Sequence, residues 1–234
     1  MQPSPDAEKR NAANAAVSHV KDGMVVGLGS GTTTAYAIIQ LGERKKHENL
    51  QIKGIPSSYQ AFSLAVQNGI TITTLEEHPT IDVNIDGADQ IDPQLNLIKG
   101  MGAALAREKI VASSSRQNIF IADQKKKVSV LGEGNHPVPI EVLPFAIALV
   151  QRRIQALGGS PLLRETKGKL GPVISDNGNV IMDATFGAIR DPQVLAHQLK
   201  MIPGVVETGF FLGLTGIVYI GTISGVEKIE MKRK

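Results

Sequence analysis

The stretch Val25-Val26-Gly27-Leu28-Gly29-Ser30-Gly31-Thr32-Thr33-Thr34 decides the fold. A short β-rich run ends in glycines and hydroxyls, and a helix-length segment follows, which is the strand, loop and helix order of an α/β sheet. Glycines let the backbone approach an anion, and N–H groups at a helix start stabilise it. A glycine turn followed by a threonine-capped helix explains the same residues. The stretch by itself leaves both interpretations open.

Nucleotide binding does not fit this loop. If Gly27 and Gly29 open a dinucleotide motif, the third glycine position holds Thr32, and no Gly-Lys-Ser/Thr follows as in a P-loop. The loop is therefore predicted to hold a single phosphate.

Further along, apolar β-rich runs alternate with helix-length segments up to about residue 131. This alternation predicts a parallel sheet covered by helices on both faces, a Rossmann-like three-layer α/β/α domain, with ligands at the carboxyl ends of the strands. The segments are 24–28, 33–41, 51–55, 59–68, 81–86, 102–115 and 119–122.

After Gly132 the order becomes strand, helix, strand, strand, helix, strand, which is the ferredoxin-like α+β unit. The segments are 138–142, 145–157, 161–166, a strand pair around Asn177-Gly178, 192–201 and 205–211. Residues 217–220 and 226–229 predict a hairpin that returns to the first domain. We expect a large domain of residues 1–131 plus 208–234 and a small domain of residues 132–207.

Composition narrows the function. The 234 residues are 42% hydrophobic, which excludes a disordered chain. The polar start, residues 1–6, and the lack of an apolar run of roughly 20 residues predict a soluble, cytoplasmic protein. Zero cysteines exclude disulfides, thiolate zinc sites and cysteine nucleophiles. Two short basic runs, 125–127 and 232–234, with 4% aromatic residues and no tryptophan, favour a small anionic ligand over nucleic acid.

The run from Ile81 to Asp89 carries repeated polar residues: Asp82, Asn84 and Asp86 share one face of a predicted strand, and Asp89 follows. The spacing imitates a calcium loop, but Pro93 stands where the bidentate glutamate is required. Carboxylates are unexpected in a strand covered on both faces. We therefore favour a functional cluster near Asp86 and Asp89 over a solvated edge strand.

Glu108 lies in the middle of an apolar helical stripe made by Ala104, Leu105, Val111 and Ala112. Burial there would raise the pKa of its carboxyl group towards the range of a general base. Lys99 supplies a cation just before the helix. The alternative is that Glu108 pairs with Arg107 or Lys109 at the margin of the helix.

Lesser candidates also occupy the carboxyl edge of the predicted sheet: Pro56-Ser57-Ser58 and the lysine run that contains Lys126. The histidines His78, His136 and His197 lack metal-ligand spacing. We therefore predict no metal site.

Taken together, these residues resemble type A ribose-5-phosphate isomerase over nearly the whole chain. Any single motif would be weak, but several distinctive ones occur in order. They are residues 27–33, Asp86-Gly87-Ala88-Asp89, Lys99-Gly100-Met101-Gly102-Ala103-Ala104, Arg107-Glu108-Lys109, Ala122-Asp123, Pro139-Ile140-Glu141-Val142, Asp176-Asn177-Gly178-Asn179 and Ile202-Pro203-Gly204-Val205-Val206.

The resemblance implies interconversion of D-ribose 5-phosphate and D-ribulose 5-phosphate through an enediolate, in the non-oxidative pentose phosphate pathway, without a cofactor. It implies a homodimer or a pair of dimers. Glu108 would transfer the proton, Lys99 would stabilise the oxyanion, and Asp86 with Asp89 would orient hydroxyls and help ring opening. The substrate-binding residues would be Lys9, Ser30, Gly31, Thr32, Thr33, Gly100, Met101, Gly102 and Lys126.

One position departs from the family pattern. Met101 stands where many relatives have glycine, and its side chain is expected to restrict the loop after Lys99. Two other functions stay open from the residues. One is a non-catalytic sugar-phosphate sensor, which lacks a visible output module here, and the other is a CoA transferase with a glutamate nucleophile.

Overall fold

Six α-helices and sixteen β-strands make up the part of the chain that the structure, a computed structural model, describes, residues 5–230. The predictions that fall on residues 1–4 and on the basic tail 232–234 lie outside it. The helices are α1 Pro5–Val17, α2 Thr32–Glu48, α3 Tyr59–Gln67, α4 Leu105–Ser113, α5 Ile147–Ala156 and α6 Pro192–Lys200. The strands are β1 Val25–Leu28, β2 Lys53–Pro56, β3 Thr71–Ile72, β4 Ile81–Gly87, β5 Gln90–Ile91, β6 Leu97–Ile98, β7 Ser115–Asp123, β8 Val138–Val142, β9 Ser160–Leu163, β10 Glu165–Thr166, β11 Lys169–Pro172, β12 Val180–Thr185, β13 Val205–Thr208, β14 Phe210–Phe211, β15 Ile217–Thr222 and β16 Gly225–Glu230.

The chain divides into two compact units. The first contains the residues up to Ala88, Arg107–Lys126 and the residues from Leu214 onward, and the second contains Asp89–Ala106 and Lys127–Gly213. The second unit thus includes residues 89–106, which the sequence groups with the large domain. The division into folding domains at residues 131 and 208 stays a prediction.

The first unit is built on a seven-stranded sheet in the order β16-β15-β7-β4-β1-β2-β3. All neighbours pair in parallel except the β15–β16 hairpin. The predicted parallel sheet and the returning hairpin are confirmed. Helix α1 was not predicted, because its buried residues include Ala12, Ala13 and Ala16, whose small side chains give a weak periodic signal. Strand β3 was not predicted either, because it has only two residues.

Both faces of this sheet are covered, as the sequence predicts. Val26 and Leu28 of β1 pack on one face with residues of α1, α2 and α3, whereas Val25 packs on the other with Val111 of α4. Helix α4 lies close to β1, since a Cβ added at Gly27 would lie 2.7 Å from a Val111 methyl group. The helix that carries Glu108 therefore rests directly on the central sheet.

The second unit contains an antiparallel sheet in the order β13-β8-β12-β9. Along the chain, α5 connects β8 to β9 and α6 connects β12 to β13. This is the strand order of the predicted ferredoxin-like unit. The predicted strand 161–166 is divided at Arg164 into β9 and β10, because β9 pairs with β12 whereas β10 pairs with β11. The predicted strand 205–211 is divided at Gly209, which allows β14 to pair with β6 in a small second sheet. The Asn177-Gly178 step forms a turn, with φ of +82° at Gly178, but the predicted strand pair around it is reduced to an isolated bridge between Ile174 and Val180, because β11 pairs with β10 instead.

Candidate active site

A loop of residues 29–33, the glycine loop, follows β1 and leads into α2. A Cβ on Gly29 would lie 2.1 Å from Oδ1 of Asp86 and 2.6 Å from its Cα, so only glycine allows this approach. The N–H of Ser30 donates to Asp86 Oδ1 at 3.2 Å, and the N–H of Gly31 donates to Gln60 Oε1 at 2.9 Å. Two of the N–H groups expected to face a phosphate are therefore bonded to side chains.

Three hydroxyl groups gather beside this loop. The Ser30 hydroxyl lies 2.9 Å from that of Ser57 and donates to that of Ser58 at 2.6 Å. Ser58 also caps α3 by accepting the N–H of Ala61. The serines after β2 were lesser candidates in the sequence, and the parallel pairing of β1 with β2 brings them to Ser30.

The polar residues of β4 divide into two groups. Asp82 accepts from the N–H of Val25 and from Arg116, and the Asn84 side chain donates to that of Asn118 at 3.0 Å. Only Asp86, which is 1% exposed, contacts the glycine loop. Asp82 and Asn84 thus hold the sheet together, and of the three polar residues on this face of the strand Asp86 is the one that lies at the glycine loop.

Glu108 lies in the first turn of α4 and is 3% exposed. The helix begins at Leu105, three residues later than the sequence indicates, because the backbone at Ala103 has a positive φ of 62°. Neighbouring Arg107 places its guanidinium group over the ring of Tyr59, 5.3 Å from the centroid. At the other end of the helix, the Asn118 side chain donates to the carbonyl of Ala112. The carboxyl group is thus buried on a helix that is fixed to β7.

A second loop, the lysine loop of residues 99–103, lies in the second unit. Lys99 is 2% exposed, its N–H donates to the Gly209 carbonyl, and its ammonium nitrogen lies 5.2 Å from the centroid of the Phe211 ring. Asp89 accepts the N–H of Met101 at 3.0 Å. The structure therefore brings Asp89 to the lysine loop and Asp86 to the glycine loop.

Met101 does not strain the lysine loop. Among the described residues of this loop, positive φ values occur at Gly100, 102°, and Ala103, 62°, and not at Met101. Its side chain is 43% exposed. The methionine is accommodated because the residue beside it carries the unusual backbone conformation.

Arg164 was not foreseen from the sequence. Its Nη1 donates to the carbonyl oxygens of Gly100 and Met101, each at 2.9 Å, and its other nitrogens are held by Asp183. Arginine between two short strands gives no sequence signal, because its partners are backbone carbonyls more than sixty residues away.

The two other lysines that the sequence predicts at the site, Lys9 and Lys126, lie in the first unit. Lys126 ends a short 3₁₀ turn after β7 and is half-buried, and Lys9 lies half-buried in α1. Helix α1 approaches β15 so closely that a Cβ on Gly221 would overlap the carbonyl of Glu8. Across residues 5–230, no group of three or more histidine or acidic side chains is arranged to hold a metal ion, and no helix is long and apolar enough to cross a membrane.

Comparison with known proteins gives consistent matches. The family sequence model of ribose 5-phosphate isomerase A (phosphoriboisomerase A) matches residues 53–225. The ribose-5-phosphate isomerase A of Methanosarcina acetivorans is 50% identical over 227 residues, which cover 97% of this chain and 95% of the relative.

Solved structures agree with the sequence matches. The ribose 5-phosphate isomerase A of Methanocaldococcus jannaschii superimposes with a TM-score of 0.93 at 41% identity, over 97% of this chain and 100% of that one. A D-ribose-5-phosphate isomerase in complex with phospho-erythronic acid superimposes with a TM-score of 0.94 at 44% identity, over 97% of this chain and 99% of that one.

Proposed function

Because the chain belongs to the ribose 5-phosphate isomerase A family and interconverts D-ribose 5-phosphate and D-ribulose 5-phosphate, we propose that Glu108 is the base that moves the proton between the two carbons. The observation that carries this proposal is a carboxyl group buried to 3% exposure in the first turn of a helix. Burial removes competing water around the carboxyl group, and its place in the first turn brings it near the positive end of α4.

The proposed reaction begins after the furanose ring has opened. The Glu108 carboxylate takes the proton from C2, and the electron pair of that bond forms the C1–C2 double bond while the carbonyl oxygen at C1 becomes an oxyanion. The carboxylic acid then returns the proton to C1. The hydroxyl proton on O2 passes to O1, and O2 becomes the ketone oxygen. Atoms and charges balance without a second reactant.

Lys99 is proposed to stabilise the oxyanion. Its nearly complete burial supports this role, because a cation in a site of low dielectric stabilises developing negative charge more strongly than one in water. Asp86 and Asp89 are proposed to orient sugar hydroxyls and to assist ring opening. Asp86 accepts a backbone N–H of the glycine loop and Asp89 accepts one of the lysine loop, and these hydrogen bonds fix the two carboxylates in place.

The phosphate is proposed to bind at the glycine loop, through Ser30, Gly31, Thr32 and Thr33. Support comes from the start of α2, where no side chain caps the helix, and from the serine hydroxyls beside it. The other proposed contacts are Lys9, Lys126, Gly100, Met101 and Gly102.

The Glu108→Gln variant tests the central assignment. We expect kcat to fall by about 10²- to 10⁴-fold, the range for loss of a general base, with little loss of affinity for phospho-erythronic acid in calorimetry. In deuterated buffer, deuterium from solvent should appear at C1 of the product of the wild-type protein. The matched control is Glu76→Gln, at an exposed glutamate. Turnover of Glu108→Gln close to that of the control would remove Glu108 from this role.

A second proposal concerns assembly and compartment. We propose a homodimer or a pair of dimers that works in the cytoplasm. Large apolar side chains that are exposed in the single chain support assembly, among them Phe145 and Leu170, which are fully exposed. The absence of cysteine agrees with a reducing compartment. Light scattering coupled to gel filtration should give a mass of two or four chains, and a single-chain mass would contradict the proposal.

A further inference from the structure

The guanidinium group of Arg164 is fully engaged within the second unit. Nε donates to Asp183 Oδ2 at 2.7 Å, and Nη2 donates to the other carboxylate oxygen of Asp183. Nη1 donates to the carbonyls of Gly100 and Met101, both at 2.9 Å, and Nη2 lies 3.8 Å from the Met101 sulfur. The arginine side chain is 11% exposed and the aspartate 18%. One planar group thus joins an acid on the sheet to two successive peptides of the lysine loop.

The backbone of Arg164 is fixed on both sides. Its N–H donates to the carbonyl of Ile181, and its carbonyl accepts the N–H of Val173. Asp183 lies in β12, which pairs with both β8 and β9. A bidentate arginine and carboxylate pair has a defined geometry. Through Arg164 the lysine loop is therefore held in place by the antiparallel sheet that contains β12.

The two carbonyl contacts determine which way the loop presents its N–H groups. No peptide bond in the described residues is cis, and in a planar trans peptide the C=O and N–H bonds point in opposite directions. Because the Gly100 carbonyl faces Arg164, the Met101 N–H faces away, and it donates to Asp89 at 3.0 Å. Because the Met101 carbonyl also faces Arg164, the Gly102 N–H points towards the side of the loop that carries Asp89.

We propose that Arg164, held by Asp183, is a positioning residue for the isomerase reaction: it orients the lysine loop so that the Gly102 N–H and the Asp89 carboxylate face the sugar. The proposal rests on the proposed function of Lys99 and Asp89. Arg164 acts through the loop and does not itself touch the substrate. Phosphate binding at the glycine loop does not depend on it, so its loss reduces kcat more than it raises KM.

The experiment compares Arg164→Lys, Arg164→Ala and Asp183→Asn with Arg116→Ala. Arg116 pairs with Asp82 on an exposed surface of the first unit and is the matched control for loss of one arginine and aspartate pair. We expect Arg164→Lys to lower kcat by about 10- to 100-fold, because lysine lacks the planar fork that spans two carbonyls, and to change KM by less than about 3-fold. Asp183→Asn should lower kcat less, and Arg116→Ala should keep the wild-type kcat.

Chemical rescue separates positioning from general damage to the fold. Guanidinium at tens of millimolar should raise kcat of Arg164→Ala at least several-fold, while sodium chloride at the same ionic strength should not. Wild-type kcat in Arg164→Lys, or no response of folded Arg164→Ala to guanidinium, would overturn the proposal. If Arg164→Ala does not fold, Arg164→Lys and Asp183→Asn decide the outcome.

Glu108→Gln measured in parallel keeps the two proposals apart. An inactive Glu108→Gln with a fully active Arg164→Lys would leave the catalytic assignment intact and refute only the positioning role. An active Glu108→Gln would refute the catalytic assignment whatever the arginine variants do.

Discussion

The glycine loop and the lysine loop are both short, both contain a glycine with a positive φ, and both precede a helix, yet side chains hold the first through its N–H groups and the second mainly through its carbonyls. Side-chain acceptors, Asp86 and Gln60, hold two N–H groups of the glycine loop. A side-chain donor, Arg164, holds two carbonyls of the lysine loop, and one side-chain acceptor, Asp89, holds its Met101 N–H.

This difference decides what each loop offers a ligand. In the glycine loop the N–H groups of Ser30 and Gly31 are already bonded, so a phosphate there is left with the hydroxyl groups and the first turn of α2, unless it displaces Gln60. In the lysine loop the carbonyls of Gly100 and Met101 are bonded to Arg164 and the Met101 N–H is bonded to Asp89, and the Gly102 N–H points towards the side of the loop that carries Asp89. In the proposed reaction the glycine loop anchors the phosphate, and the lysine loop faces the part of the sugar where charge develops.

Gly29→Ala should have the largest effect, because the glycine loop has no room for a Cβ. The new atom would lie 2.6 Å from the Asp86 backbone, so the strand or the loop must move. We expect a loss of about 3 kcal/mol or more in the free energy of unfolding and a loss of kcat of about 100-fold. Urea unfolding and steady-state kinetics measure both. The control is Gly168→Ala, because a Cβ added at Gly168 would meet no atom within 4 Å. Equal free energies of unfolding for the two variants would contradict the close contact between Gly29 and Asp86.

The lysine loop should tolerate a Cβ at one glycine and not at the other. At Gly100 the φ is +102° and a Cβ would lie 2.8 Å from Leu105, so Gly100→Ala should cost about 2 kcal/mol in the free energy of unfolding. A Cβ added at Gly102 would meet no atom within 4 Å, so Gly102→Ala should change the free energy of unfolding by less than about 0.5 kcal/mol. Thermal or urea unfolding checks the pair. A larger loss of stability in Gly102→Ala than in Gly100→Ala would contradict the prediction that Gly100 is the position in this loop that requires glycine.

Gln60→Glu should have the smallest effect and should act only through the glycine loop. The substitution places a negatively charged carboxylate next to the Gly31 N–H, beside the proposed phosphate site. We expect KM for ribose 5-phosphate to rise by about 3- to 10-fold, with kcat unchanged, and the increase to shrink as salt is added. Gln60→Ala separates charge from the lost hydrogen bond and should change KM by less than about 2-fold. An unchanged KM in Gln60→Glu would place the phosphate elsewhere.

The sequence predicted the parts of the fold and site that depend on local pattern. The run from Val25 to Thr34 predicted strand, loop and helix, and the apolar neighbours of Glu108 predicted its burial, which the structure confirms. Arg164 and Gln60 could not be predicted, because they act on backbone groups of distant loops that no local pattern reveals. Asp183 could not be predicted either, because its partner is the side chain of Arg164. Asp82 was grouped with Asp86 by alternation, but only the structure separates a carboxylate that joins strands from one that contacts the loop.

The place of β15 in the central sheet has a consequence for how the protein is made. Strand β7 lies between β4 and β15, and its residues 118–122 are buried in the finished sheet. During synthesis on the ribosome, β7 emerges almost a hundred residues before the strand that covers its second edge. Until then β7 presents an open apolar edge, which is a template for association with other nascent chains. Completion of the sheet by its last hairpin is thus a late, long-range step, and the nascent chain is vulnerable until that hairpin has been made.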